Sequence, residues 1–272
     1  MHFVACNLLG PSEAHFGLGN QMFGAAATLS YAKDTQQDAL FPCLTNRGKH
    51  GSYVDNIFRE LCVRIPDHAP QHFYKEPSFR HVPIPAKNNI LLEGYFQSEK
   101  YFKHNGDFIR NTFTATEELE RYINLKYYRL LDMKNTVSVH IRRGDYTTKF
   151  KGCFALLDNE YYDKAFAQFS KDSIFVFFGE HPQDLEYCRN KFTTEKAFYV
   201  QGESDVVDLL LMSKMKNNII ANSSFSWWAA WLNQNKGKKV IAPQAWFGSA
   251  HPTLSNSDEV TQDLIPEEWE RI

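Results

Sequence analysis

Two adjacent arginines follow a short apolar run in the middle of the chain, in the segment HIRRGD at residues 140–145. Guanidinium groups carry N–H donors in a fixed fork that matches the oxygens of a phosphate group. Neighbouring side chains of an extended segment point to opposite faces, so only one arginine would meet a ligand there unless Gly144 lets the chain turn. The alternative is a surface arginine pair that forms an ion pair with Asp145, and the segment by itself fits both interpretations.

The segment NSSFSWW at residues 222–228 is a second candidate for anion binding. Small hydroxyl residues between a strand and a helix present free backbone N–H groups and serine hydroxyls, which suits a diphosphate. The alternative is an ordinary helix N-cap, which needs only one serine. Three tryptophans at helical spacing, Trp227, Trp228 and Trp231, are interpreted as core residues.

A glycine-rich turn, GLGNQ at residues 17–21, resembles the start of a dinucleotide-binding fingerprint. Met22 stands where the third glycine would be, so binding of NAD is not favoured. A tight turn with Asn20 as a helix cap is the simpler interpretation. In a functional interpretation, the turn lets the backbone approach a ligand closely.

No Asp-x-Asp pair occurs in the chain. Transferases that bind a nucleotide sugar through a divalent metal usually hold that metal with clustered carboxylates. The pattern therefore predicts that no metal is bound, and that arginines and helix N-termini neutralise the diphosphate. Asp205 and Asp208 are spaced differently, and Asp205 is interpreted as a helix cap.

These segments belong to an alternation of strands and helices, which predicts an α/β fold with parallel sheets. In the second half, strands are predicted at 137–141, 174–178, 197–200, 218–221 and 239–242, and helices at 161–169, 185–191, 206–215 and 226–233. In the first half, strands are predicted at 3–9, 39–42 and 89–96, helices at 22–33, 53–63 and 114–133, and an irregular connection at 68–87. A boundary in or just after the last of these helices gives two domains, 1–130 and 131–272.

Ligands of open α/β sheets bind outside the carboxyl ends of the strands. The loops after Ile141, Phe178 and Ala221 are therefore expected to converge on one cleft, together with the loop that holds residues 17–21. The segments with unusual residues are the ones that fall in these loops.

The composition is that of a globular protein, with 43% hydrophobic and 23% charged residues and a net charge of −2. No nucleic-acid partner is expected, because no basic patch stands out. The five cysteines show no metal-ligand or disulfide pattern and are interpreted as reduced thiols. No run approaches the ~18 apolar residues of a membrane span. A cytoplasmic location is expected if no targeting segment has been removed, and peripheral membrane association stays open.

Four segments together resemble glycosyltransferase family 11, the α-1,2-fucosyltransferases. They are GLGNQMF, LLEGYFQSEKYF, HIRRGDY and NSSFSWWAAWL; they occur in the family's order and span nearly the whole chain. The resemblance implies the GT-B architecture, in which two Rossmann-like domains face a cleft, and GDP-fucose as the donor. It further implies inversion at the anomeric carbon, no metal or cofactor requirement, and a galactose-containing glycan as the acceptor.

The resemblance also implies roles for individual residues. Arg142 and Arg143 would grip the GDP diphosphate, and Arg143 is expected to make the direct contact. Asp208 stands where related enzymes place a carboxylate against guanine, and His140 would line the cleft beside the donor. The remaining donor-site residues are Asn222, Ser223, Ser224 and Phe225 in the second domain and Gly19, Asn20 and Gln21 in the first.

Arg143, Asp145 and His140 are the predicted catalytic residues. Negative charge grows on the leaving phosphate during transfer, so replacement of Arg143 by alanine is expected to nearly abolish turnover. Asp145 and His140 are candidates for the base that takes the acceptor proton. For Asp145, the favoured role is to orient one of the arginines through an ion pair.

One departure from the family pattern concerns residues 179–181. The family often shows a Ser-Asp-Asp run after the strand that ends at Phe178, whereas this chain has Gly179, Glu180 and His181. Either Glu180 substitutes for that run or the contact is absent. Two alternatives to α-1,2 transfer are a fucosyltransferase of α-1,6 or α-1,3 linkage, and a non-catalytic relative that binds a nucleotide sugar or a carbohydrate.

Overall fold

The computed structural model describes residues 2–8, 17–42, 44, 53–192, 196–251, 254 and 258–272. By their contacts, the residues divide into two compact units. Unit 1 comprises Met1–Thr116 and Thr261–Pro266, and unit 2 comprises Glu117–Val260 and Glu267–Ile272. Within the described ranges, no helix combines the length and the apolar character that a membrane crossing requires.

Unit 1 contains a four-stranded parallel sheet with the strand order β2-β1-β4-β3. The strands are β1 (Phe3–Cys6), β2 (Asp38–Leu40), β3 (His72–Lys75) and β4 (Ile90–Glu93), and the helices are α1 (Leu18–Thr35) and α2 (Gly106–Thr112). Two 3-10 helices, Glu99–Tyr101 and Lys103–Asn105, lie between β4 and α2. Most of α1 is buried, and its run of alanines lets the helix backbone lie close to its neighbours.

Unit 2 contains a six-stranded parallel sheet with the order β10-β9-β8-β5-β6-β7. The strands are β5 (Thr136–Ile141), β6 (Ile174–Gly179), β7 (Ala197–Tyr199), β8 (Asn217–Ile219), β9 (Val240–Ala242) and β10 (Glu270–Arg271). The helices are α3 (Glu117–Leu131), α4 (Asn159–Phe166), α5 (Pro182–Lys191), α6 (Asp205–Lys214) and α7 (Ser224–Leu232), and a short helix, α8 (Asp258–Thr261), precedes the return to unit 1. The chain starts at the centre of this sheet, builds outward to β7 and then continues on the other side of β5. This is the doubly wound order of dinucleotide-binding folds, with its switch point between β5 and β8.

The core of unit 2 lies on both faces of its two central strands. All six residues of β5 are buried, as expected for a parallel strand covered on both sides. Trp227, Trp228 and Trp231 are also buried, so the interpretation of these tryptophans as core residues is confirmed. The apolar sequence of β5 and α7 therefore positions the polar residues that follow or precede them.

The predicted strands and helices of the second half occur in the structure with shifted ends, whereas three assignments in the first half were wrong or incomplete. Residues 53–63 form turns instead of the predicted helix, and fully buried Ile57 and Phe58 account for the apolar spacing there. Strand β3 lies inside the predicted irregular connection, where an exposed edge strand leaves no apolar alternation to read. Helix α2 was not predicted at all.

The two units differ from the predicted domains in the grouping of two segments. By contacts, α3 groups with unit 2, and residues 261–266 group with unit 1. A hydrogen-bonded ion pair of 2.6 Å joins Glu120 of α3 to Lys214 of α6. The limits 1–130 and 131–272 stay a prediction about where independently folding domains divide.

Candidate functional site

The carboxyl ends of β5 and β8 meet at the switch point of the unit 2 sheet. Arg142 directly follows β5, and Asn222 lies between β8 and α7. The Tyr146 hydroxyl donates a hydrogen bond of 2.9 Å to the backbone oxygen of Asn222. The structure thus brings together the segments at 140–145 and 222–228, which the sequence predicts to share a cleft.

Four buried polar atoms without a hydrogen-bond partner belong to residues at this switch point, and a fifth belongs to Asp208 of α6. An unpaired buried donor or acceptor costs about 1–3 kcal/mol, so native structures keep few of them. Among the described residues, five such atoms belong to predicted site residues: His140 Nδ1, Arg142 Nε, Asp145 Oδ1, Asp208 Oδ1 and Asn222 Oδ1. A polar ligand at this edge of the sheet would give such groups partners.

Arg142 is held by two carboxylates. Its Nη2 donates to Asp145 Oδ2 at 2.7 Å, and its Nη1 forms an ion pair with Glu180. The guanidinium also lies 5.3 Å from the ring centroid of Tyr146. Asp145 therefore has the orienting contact that the sequence favoured for it, and Arg142 is the arginine that it orients.

Arg143 has different surroundings. Its guanidinium lies 4.1 Å from the ring centroid of Tyr187, and its Nη1 donates to the Leu157 backbone oxygen at 3.3 Å. No carboxylate of the described residues forms an ion pair with it. It lines a cavity of about 390 Å³ together with residues 156–160, Tyr187 and Lys191. The two arginines thus have separate partners, and the direct diphosphate contact assigned to Arg143 stays a prediction.

His140 is buried, with its ring centroid 5.5 Å from that of Phe225. Burial and the neighbouring Arg142 lower the pKa of His140 to about 3, so its imidazole is neutral at neutral pH. An imidazole with so low a pKa is a weak general base. This environment suits a residue that lines the donor site, and the predicted role of His140 as a base remains untested.

Asp208 lies in the first turns of α6. The cap of this helix is Ser204, whose hydroxyl accepts from the Val207 amide at 3.2 Å; the interpretation of Asp205 as the cap was wrong, because Asp205 is already helical. Burial, reinforced by Glu203 and Asp205, raises the pKa of Asp208 to about 8. Such a carboxyl group gains most from a ligand that donates hydrogen bonds to it.

In the segment 222–225, the side chains of Asn222 and Ser223 make hydrogen bonds within the protein, and the next two residues form the first turn of α7. The Asn222 side-chain amide donates 2.8 Å hydrogen bonds to the backbone oxygens of Ala155 and Trp246. Ser223 caps α7, and its hydroxyl accepts from the Phe225 amide at 3.4 Å. Ser224 and Phe225, both partly exposed, form the first turn of this helix, where backbone N–H groups favour an anion.

Gly19, Asn20 and Gln21 lie in unit 1, in the first turn of α1. Gly17 occupies the cap position of that helix without a side-chain cap, so the interpretation of Asn20 as the cap was wrong. Asn20 Oδ1 instead accepts from Gln97 Nε2 at 2.8 Å. The role of these three residues in closing a cleft stays a prediction.

Sequence reasoning missed how Gly144 and Glu180 contribute to the site. A Cβ atom on Gly144 would lie 2.3 Å from Cδ2 of the His181 ring, so any larger residue there would force the ring to move. Ile141 pairs with Gly179 in the sheet, which brings the residues after them, Arg142 and Glu180, side by side. The position of Glu180 directly after an apolar strand could have marked it as a site residue. Its pairing with Arg142 could not be predicted, because that pairing depends on the register of β5 with β6.

Among the residues described, no group of three or more His, Cys, Asp or Glu side chains is arranged to hold a metal ion. Metal independence itself stays a prediction.

Comparison with known proteins places these features in context. The family model described as Glycosyl transferase family 11 matches residues 66–270. The O-antigen biosynthesis glycosyltransferase WbnK of Escherichia coli is 35% identical, over 91% of this chain and 96% of that protein. The alpha-1,2-colitosyltransferase of Escherichia coli is 30% identical over 100% and 99%, and galactoside alpha-(1,2)-fucosyltransferase 2 of Oryctolagus cuniculus is 25% identical over 79% and 64%.

Solved structures show the same fold at low identity. The NodZ alpha-1,6-fucosyltransferase soaked with GDP-fucose has a TM-score of 0.54 and 14% identity, over 85% of this chain and 92% of that chain. POFUT1 in complex with GDP-fucose has a TM-score of 0.50 and 10% identity, over 88% and 97%. Both neighbours are fucosyltransferases of GT-B type, so the predicted fold class is confirmed.

Proposed function

The chain belongs to glycosyltransferase family 11, and we propose that it transfers L-fucose from GDP-fucose to the 2-hydroxyl of a galactose residue in a glycan. The transfer inverts the anomeric carbon and needs no metal. The observation that carries this proposal is the set of unpaired buried polar atoms on residues of two family segments at the β5–β8 switch point, and on Asp208 of α6. Among them, Arg142 Nε is a donor that suits a diphosphate oxygen, whereas the Asp208 carboxyl oxygen is an acceptor that suits the N–H groups of a base.

The guanine and the diphosphate of the donor each have a complementary group in this chain. The carboxylate of Asp208 accepts from the N1–H and N2–H₂ groups of guanine. The first turn of α7, with Ser224 and Phe225, and the guanidinium of Arg142 or Arg143 bind the diphosphate. His140 packs beside the donor as a neutral ring.

In the transfer step, the acceptor hydroxyl oxygen forms a bond to C1 of fucose on the face opposite the GDP. The bond between C1 and the β-phosphate oxygen breaks, and GDP leaves with the electron pair. The hydroxyl proton passes to a base, for which Asp145 is the candidate in this segment, or to water. Donors fixed around the phosphate stabilise the charge that develops there.

The proposal is tested by measuring GDP release from GDP-fucose in EDTA, with and without lactose or N-acetyllactosamine. We expect release that the acceptor stimulates, and a product that an α-1,2-specific fucosidase cleaves. Loss of release in EDTA, restored by a divalent cation, would overturn metal independence. No release with any acceptor, together with calorimetric binding of GDP-fucose, would favour the non-catalytic relative.

A second candidate donor carries a colitosyl group. The observation that favours it is the match to the colitosyltransferase over the whole length of both chains, whereas the rabbit fucosyltransferase matches 79% of this chain. Competition between GDP-fucose and a GDP-linked colitosyl donor at equal concentration decides between them, because the preferred donor has the larger kcat/KM.

A further inference from the structure

Glu180 lies beside Arg142 because of the register of two neighbouring strands, β5 and β6. β5 and β6 run parallel, and Ile141 pairs with Gly179 at their carboxyl ends. Arg142 and Glu180 are the next residues of the two strands, so they leave the sheet side by side. This position is the one where the chain departs from the Ser-Asp-Asp run of its family.

The Arg142 guanidinium is fixed from three sides. Glu180 binds Nη1, Asp145 binds Nη2, and the Tyr146 ring lies 5.3 Å from the guanidinium carbon. Tyr146 is itself anchored by its hydrogen bond to the Asn222 backbone. The side chains of Arg142 and Glu180 are each 21% exposed and that of Asp145 is 28% exposed, so both ion pairs are partly shielded from water.

The charges in this cluster indicate what Glu180 does. Two carboxylates surround one guanidinium, so Arg142 acts on a diphosphate through directed N–H donors more than through surplus positive charge. A guanidinium has five N–H donors, and the two carboxylates occupy one on each terminal nitrogen. The ion pairs fix the plane of the group and leave further N–H donors for a ligand.

We propose that Glu180 is a positioning residue, which together with Asp145 holds Arg142 so that its remaining N–H groups meet the β-phosphate as the bond to fucose breaks. This inference rests on the proposed function. A flexible arginine side chain loses rotamer freedom when it is ordered. Glu180 orders Arg142 before the reaction, so its contribution belongs to the transition state more than to donor binding.

The test compares Glu180→Gln, Glu180→Asp and Glu180→Ala in the full chain. For Glu180→Gln we expect kcat to fall about 10–100-fold, as for other residues that orient a functional group, with the donor KM and the melting temperature nearly unchanged. Glu180→Asp should recover part of the kcat that Glu180→Ala loses. Glu120→Gln removes a carboxylate from the 2.6 Å ion pair with Lys214 and is the matched control, which should keep wild-type kcat.

A double variant separates positioning from a general structural role. If Glu180 acts through Arg142, Glu180→Gln has no further effect on kcat in an Arg142→Ala background. Wild-type kcat in Glu180→Gln, or losses that multiply fully in the double variant, would overturn the inference. An inactive wild type would instead overturn the proposed function, so the two failures are distinguishable.

Discussion

The polar groups at the carboxyl edges of the two parallel sheets differ in whether they have hydrogen-bond partners within the protein. In unit 1, Glu76 accepts hydrogen bonds from the amides of Tyr95 and Phe96 and from the Tyr101 hydroxyl, at 2.8, 3.0 and 3.3 Å. In unit 2, the corresponding edge holds buried polar atoms without partners. The atoms on His140, Arg142, Asp145, Asp208 and Asn222 that lack a partner all belong to unit 2.

We interpret the edge of unit 1 around Glu76 as structural framework, and the edge of unit 2 as the candidate ligand site. The turn after β4 places Phe96 at φ 51°, a left-handed conformation that is strained for a bulky residue. Glu76 holds that turn in place, and Gly94 allows the close approach, since a Cβ atom there would lie 2.5 Å from Glu76 Cβ. The Glu76 carboxylate is thus satisfied within unit 1, whereas the unit 2 edge presents buried polar atoms that lack a partner within the protein.

The largest expected effect comes from Arg142, the first of the two adjacent arginines after β5. We expect Arg142→Ala to lower kcat/KM for GDP release about 10²–10³-fold, the usual cost of losing a donor to a developing anion. Arg143→Ala should keep most of the turnover, because the Arg143 guanidinium packs on Tyr187 and the Leu157 carbonyl. Steady-state kinetics on both variants measures the difference.

This pair of variants also tests the expectation from the sequence, which assigns the phosphate contact to Arg143. An equal or greater loss in Arg143→Ala would return that role to Arg143. Arg142→Lys and Arg143→Lys serve as controls that keep the charge and remove the forked geometry.

A smaller, pH-dependent effect is expected at Asp208. Guanine binds the ionised carboxylate, and the pKa of Asp208 is raised to about 8, so binding at pH 7 must release a proton. GDP affinity should therefore rise about eightfold from pH 7 to pH 8.5 by proton linkage at this group. Calorimetry in buffers of different ionisation enthalpy measures both the affinity and the released proton.

Asp208→Asn should abolish this pH dependence, because asparagine does not titrate. It should also weaken GDP binding at pH 8.5 by about 1–3 kcal/mol, the value of a good paired contact to a base. A pH dependence that persists in Asp208→Asn would assign the titration to another group and remove the guanine contact.

The smallest effect on the reaction is expected from Glu76 in unit 1. Glu76→Ala leaves the amides of Tyr95 and Phe96 without their acceptor and should lower the free energy of unfolding by about 1–3 kcal/mol. GDP affinity should stay at the wild-type value, because these hydrogen bonds belong to the framework. Denaturant titration and calorimetry on the same variant measure the two quantities.

Glu76→Gln keeps the side-chain volume and one acceptor oxygen, so it should be less destabilising than Glu76→Ala. If Glu76→Ala reduced GDP affinity tenfold while the protein stayed folded, Glu76 would contribute to ligand binding, and its assignment to the framework would be wrong.

The sequence by itself determined the α/β class and the places of the polar segments. Buried parallel strands such as 137–141 and 174–178 show as short apolar runs, and the residues at their ends follow by position along the chain. The switch point could be expected for the same reason, because strand ends in such folds lie at one edge. These features depend on local patterns of hydrophobicity and turn residues.

Only the tertiary structure decided which groups meet at that edge. Arg142 and Arg143 are neighbours in the chain but have different partners. The register of β5 with β6 places Glu180 beside Arg142, and the packing of α5 places the Tyr187 ring against Arg143. The raised pKa of Asp208 likewise comes from burial and from nearby carboxylates. Strand register and burial join residues that are distant in sequence, and local patterns carry no information about such pairings.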